Sequence, residues 1–199
     1  VKSPVALALV LAGLSGLLSF VADYPVHAWP LGAVALVPLL VALARAHRAR
    51  DAALAATVFG VTYHAPLAAV LKLPVLMTLP LAVALTALWV GTGLGAWWSL
   101  RKGGPITGAL AAGAAAALME WASATLVPVW GTAQSFVRTW SASPAVMQVT
   151  ALGGATALVF VVVAWQALAA RVVVSGGSAR RSAAVALVLL GAAVVGAGQ

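Results

Sequence analysis

Residues 74–102 read PVLMTLPLAVALTALWVGTGLGAWWSLRK. From Pro74 to Leu100 there is no charged side chain, and Arg101 and Lys102 follow at once. About 20 apolar residues in a helix cross the hydrocarbon of a bilayer. An apolar stretch of this length, closed by two cations, reads as a membrane helix ending at the water boundary.

The same pattern extends in both directions. Apolar runs cover Val5 to about Ala22, Trp29 to Leu43, Ala52 to Leu71, Pro74 to Leu100, Pro105 to about Val127, Pro144 to Ala170, and Ser182 to Gly198. Seven spans of about 20 residues would use most of the 199 and leave only short loops. Helices are expected because an open strand edge cannot be satisfied in lipid. The sequence therefore predicts an all-α, polytopic bundle of seven transmembrane helices, one domain over 1–199. Run one has the outline of a signal peptide. Phe20, three back from a cut after Ala22, is too large for the usual site, so a retained helix is expected.

Composition agrees. The chain is 64% apolar and 7% charged, where soluble domains run about 45–50% and about 25%. That excludes a free-standing soluble enzyme or nucleic-acid binder. Cysteine is absent, which excludes disulfides, thiolate metal sites and a thiol nucleophile from these residues.

The charge of +8 comes from 11 Lys and Arg against 3 Asp and Glu, and all of them except Glu120 lie between or beside the runs. Lys2, Arg45, Arg48, Arg50, Arg101, Lys102, Arg171, Arg180 and Arg181 fall on one side of an alternating topology. Lys72 and Arg138 fall on the other. The positive-inside rule then predicts the N-terminus in and the C-terminus out. The longest separator, 127–143, carries Trp130, Phe136 and Trp140 and is expected to lie as an amphipathic arm at the outer interface.

Few residues carry chemistry. Glu120 is the only acidic residue predicted inside a span. It is expected to face the bundle interior and contact the arm, where Arg138 is the only local cation. Asp23 and Asp51 are expected at solvated loop ends. His64 is a possible ligand for haem or a pigment, although no cofactor is required and no metal site is expected. Gly13-Leu14-Ser15-Gly16 matches the G-x-S-G string of rhomboid-type proteases, but such strings arise easily in a helix rich in small residues. Four-residue spacings of small residues, such as Ala12 and Gly16, suit close helix packing.

Several segments together resemble the membrane domain of apolipoprotein N-acyltransferases. They are residues 20–40, FVADYPVHAWPLGAVALVPLL; Val58-Phe59-Gly60 with Tyr63; the pair Glu120-Trp121; WGTAQ at 130–134; SPAVMQ at 143–148; Gly153-Gly154; and Leu158-Val159-Phe160 with Gln166-Ala167-Leu168. The departures are specific. Ala122, Ser123 and Ala124 stand where the family has a basic residue after Glu-Trp. Thr132 replaces an arm aromatic and Gln166 an Asn. The family also has a nitrilase-like domain after its seventh helix, with a Glu-Lys-Cys triad.

The resemblance implies the membrane fold and, on this Cys-free stretch, no acyl-transfer chemistry of its own. The expected role is a scaffold or accessory subunit that contacts membrane lipids and other membrane subunits, with bound phospholipid and no nucleic acid. One alternative is the membrane half of a split acyltransferase, and another a pigment- or haem-binding subunit. Glu120, Trp121, Trp130, Gln134, Arg138 and Gln148 are the candidate lipid- or arm-contacting residues.

Overall fold

The computed structural model describes residues 4–23, 29–72, 74–126 and 136–196. All regular structure among them is helical: α1 (Pro4–Asp23), α2 (Trp29–Gly32), α3 (Val37–Arg45), α4 (Ala49–Leu71), α5 (Val75–Lys102), α6 (Pro105–Leu126), a 3-10 segment (Phe136–Ala142), α7 (Pro144–Met147), α8 (Thr150–Val174) and α9 (Gly177–Gly196). Five helices among the described residues are long and apolar enough to cross a membrane: α1, α6 and α9, α5 from Leu76, and α8 from Gly153. At 1.5 Å per residue the 23-residue α4 is about 35 Å long.

Helix ends follow local chemistry. Pro38 opens α3, where its missing N–H costs nothing, and Arg45 sits in the last turn near the negative end of the dipole. Asp51 occupies the first turn of α4, and Arg101 and Lys102 the last turn of α5. The last carbonyls of α5 need partners, and Arg171 of α8 supplies them. Its Nη2 donates to the Leu100 carbonyl and, at 3.1 Å, to the Gly103 carbonyl. Trp97 Nε1 donates to the Ala46 carbonyl at 2.9 Å, and Arg101 donates to the His47 carbonyl. These bonds gather the ends of α3, α5 and α8.

Two of the seven apolar runs are not continuous helices. The second is broken at Ala33–Leu36 between α2 and α3. A break frees backbone groups that lipid cannot satisfy, and buried side chains satisfy them here. Gln166, fully buried in α8, accepts from the Leu36 N–H at 2.7 Å and donates to the Gly32 carbonyl at 3.1 Å. Ser15 Oγ donates to the Ala35 carbonyl at 2.5 Å. The Ser15 string is thus part of the packing. A Cβ on Gly16 would stand 2.8 Å from the Phe59 carbonyl, so glycine lets α1 and α4 touch.

The sixth run is divided as well. α7 ends at Met147, and α8 bends at Gly153 and Gly154, where Gly154 has φ +70°. Side chains rarely adopt that conformation.

α3 lies at the centre, against α1, α4, α5 and α8. Residues 39–43 are all buried in it, beside Phe59, Leu100, Leu158 and Leu168. α4 packs on α5, α5 on α6, α6 on α8, and α8 on α9. α9 buries only Ala183 and shows lipid-type side chains outward.

Candidate functional site

The end of the bundle opposite the Arg171 contacts holds the polar residues of interest. Asp23 closes α1 as a helical residue and its side chain is fully buried. This corrects the expected solvated loop end: the helix continues one residue beyond the apolar run and carries the carboxylate inward. Tyr63 Oη of α4 donates to Asp23 Oδ2 at 3.2 Å. Arg138 Nε lies 3.9 Å from Asp23 Oδ1, with its side chain 39% exposed. The arm's cation therefore pairs with Asp23.

An aromatic cluster supports this pairing. Phe59 and Trp89 meet edge to face with centroids 4.6 Å apart, and Trp89 meets Phe136 of the arm at 6.4 Å. Such pairs stabilise beyond the area they bury. Phe136, Thr139 and Trp140 are buried while Arg138 and Ser141 face outward, so the described part of the arm is amphipathic. Thr139 sits against Gly32, where a Cβ would stand 2.4 Å from its Cγ2.

Glu120 is buried in α6. Its neighbour Trp121 is 60% exposed, as successive helical residues point about 100° apart. Trp121 lines a cavity of about 740 Å³ between α6 and α8, with Leu118, Gly153 and Phe160. Gln148 is exposed in the turn between α7 and α8. Trp130 and Gln134 lie outside the described residues.

His64 is 3% exposed, and neither ring nitrogen has a hydrogen-bond partner among the described residues. It stacks on Tyr63, ring centroids 4.6 Å apart. It also lines a cavity of about 650 Å³ between α4 and α5. Among the described residues no three metal-ligating side chains converge.

The structure therefore brings Asp23, Tyr63 and Arg138 together, sets His64 beside them on α4, and places Trp121 and Gln148 on exposed surfaces. Asp23, Tyr63 and Gln166 did not stand out in the sequence as members of a site. One signal was available for Asp23: a carboxylate directly after the uncharged run 5–22, in a separator with no Lys or Arg.

The lateral cavities at this end are lined mostly by apolar and hydroxyl side chains, with His64 in the α4–α5 wall, and the Asp23–Arg138 pair ties the arm to α1.

No curated protein matches the chain. The family model of the apolipoprotein N-acyltransferase N-terminal domain matches residues 15–168, from the Ser15 that holds the broken helix to the Leu168 just past Gln166. The chain belongs to the family of the apolipoprotein N-acyltransferase N-terminal domain.

Proposed function

We propose that this chain is a lipid-contacting membrane module of the N-acyltransferase N-terminal type, working as a scaffold or accessory subunit of a larger assembly in a bacterial inner membrane. The carrying observation is the family match over 15–168 in a sequence with no cysteine. The family's acyl intermediate is a thioester, and none of these 199 residues can form one. The two lateral cavities supply apolar walls for acyl chains.

The proposed topology has seven crossings. α2 with α3 forms the second and α4 the third, N-terminus inside and C-terminus outside. Its support is the charge distribution. Arg45, Arg48, Arg50, Arg101, Lys102, Arg171, Arg180 and Arg181 belong to the Arg171 end, and Lys72 and Arg138 to the arm end.

A second reading is favoured by the arm, which is seated on the bundle by Arg138 and Phe136. In it the module is the membrane half of an acyltransferase whose nitrilase-type domain is a separate polypeptide. Glu120, Trp121, Trp130, Gln134 and Gln148 would then line the approach of a phospholipid donor.

An acyl-transfer assay decides between them. The purified chain is supplied with phospholipid and a diacylated lipoprotein, alone and with a nitrilase-type protein encoded nearby. The scaffold reading expects no transfer in either case. Transfer only with the added protein establishes the split enzyme, and transfer by the chain alone overturns both readings.

A further inference from the structure

Five cations of the Arg171 end are drawn into one patch. Arg45 ends α3, Arg48 and Arg50 stand at the start of α4, and Arg101 and Lys102 close α5. The short connection between α3 and α4 is fastened to α5 by two bonds, from Trp97 Nε1 to the Ala46 carbonyl at 2.9 Å and from Arg101 to the His47 carbonyl. The Arg101 guanidinium also lies over the Trp97 ring, 5.8 Å from its centroid. All five residues are exposed.

One carboxylate faces them. Asp51, in the first turn of α4, is 3.5 Å from Arg50 Nε, and its side chain is 16% exposed. Arg45, Arg48, Arg101 and Lys102 have no ion pair among the described residues. Like charges gathered by a fixed loop repel one another, and an anion from outside relieves that repulsion. The fastened loop sets the backbone positions of the cations before any ligand arrives, which lowers the ordering cost of binding.

The surroundings are those of a lipid headgroup. Trp98, three residues before Arg101, is 61% exposed, and tryptophan side chains settle at the headgroup level. Beneath the loop, against α1, lies a crevice of about 100 Å³. Leu7, Ala8, Leu11 and Ala42 form its walls, and Arg45, His47 and Asp51 its mouth. The cations are therefore continuous with apolar surface. An acidic soluble protein would answer the charge and leave the crevice and Trp98 idle, whereas a phospholipid answers both. Arg50 is held by Asp51 and Arg101 by the loop carbonyl. That leaves Arg45 at the crevice mouth, and Arg48 beside His47, to meet an anion.

We propose that this patch binds the headgroup phosphate of an anionic phospholipid above the α1–α3 crevice, with Arg45 and Arg48 as its main contacts. This rests on the lipid-contacting reading and adds the headgroup class. A zwitterionic lipid leaves the net charge of the patch unmet.

The test uses the full chain in nanodiscs of phosphatidylcholine and phosphatidylglycerol in equal parts, matched in their acyl chains. After transfer to mild detergent, native mass spectrometry measures which lipid stays bound. The expected preference for phosphatidylglycerol is roughly five- to twentyfold, the worth of one or two cations near an anionic headgroup. Arg45→Gln combined with Arg48→Gln should abolish it, and Arg45→Lys combined with Arg48→Lys should keep most of it. Arg180→Gln combined with Arg181→Gln removes as much charge from the same end, on α9, and should leave the preference in place. Unchanged thermal unfolding shows that each variant still folds. Equal retention of the two lipids by the native chain would overturn the proposal and leave the lipid-contacting reading intact. So would a preference that survives the Arg45 and Arg48 substitutions, or that the α9 pair removes equally well. No retained lipid would overturn both the proposal and that reading. An acidic protein held by the native chain and lost in Arg45→Gln with Arg48→Gln, without any lipid preference, would put a protein in the lipid's place.

Discussion

A carboxylate on the last residue of α1 faces the negative end of its own helix dipole, so Asp23 needs donors around it. Tyr63 of α4 donates a hydrogen bond, and Arg138 of the arm brings a positive charge to 3.9 Å. Because Arg138 is part exposed and stands 3.9 Å away, the pair is weaker than a fully buried one. Arg138→Gln should therefore destabilise the seated arm by about 1–3 kcal/mol. Hydrogen exchange of residues 136–142 should quicken, and Asp23→Asn combined with Arg138→Gln should cost less than the two separately. Additive effects would mean the pair does not couple. Gln166 has a larger task, since it answers two backbone groups at once. Gln166→Leu keeps the bulk but leaves both buried groups unmade, a loss of about 2–5 kcal/mol. A thermal shift in detergent indistinguishable from that of a surface substitution would contradict this account.

At the scale of elements, the breaks carry the architecture. α3 enters the centre of the bundle because the turn at Ala33–Leu36 redirects the chain, and the turn persists because α1 and α8 each reach across to it. α8 begins with a bend that only a glycine at 154 takes readily. Gly154→Ala should cost about 1–3 kcal/mol without altering the rest of α8. The measurement is thermal unfolding combined with hydrogen exchange, which should quicken around residues 150–156 and stay slow around Leu158–Leu168. Uniform loosening of α8 would show that the bend is not local. Gly113 tests packing between elements. A Cβ there would stand 2.6 Å from the Phe160 carbonyl, so Gly113→Ala should push α6 from α8 and lower the unfolding temperature, by about 1–3 kcal/mol in stability.

The whole molecule is a dipole of charge laid across an apolar bundle, with eight of the described cations at one end and two at the other. The absence of cysteine makes its orientation directly measurable. In intact cells, Ser141→Cys should react with a membrane-impermeant thiol reagent and Ser178→Cys should not, while both react after permeabilisation. The reverse pattern would invert the proposed topology.

What the sequence determined by itself was class, the apolar runs and family. Runs of about 20 uncharged residues leave a chain no fold except spanning helices, because lipid offers the backbone no hydrogen bonds. The positions of α1, α4, α5, α6 and α9 were legible for that reason, and so was the burial of Glu120, since a carboxylate within a span cannot face lipid. The tertiary structure alone decided what fills the interior. A run such as 29–43 looks equally apolar whether it is one helix or two. The difference lies in whether distant side chains satisfy the freed backbone, and Gln166 stands 130 residues from the Leu36 it serves. Asp23 was placed in water by its position at the end of a run, and was found buried because the helix did not stop there and an arginine 115 residues later folded over it. His64 was a candidate ligand in the sequence, but its burial against Tyr63 beside the α4–α5 cavity came only with the packing of the helices. Hydropathy is a property of a segment and can be read along the chain, whereas hydrogen-bond partners across a bundle are a property of which segments meet.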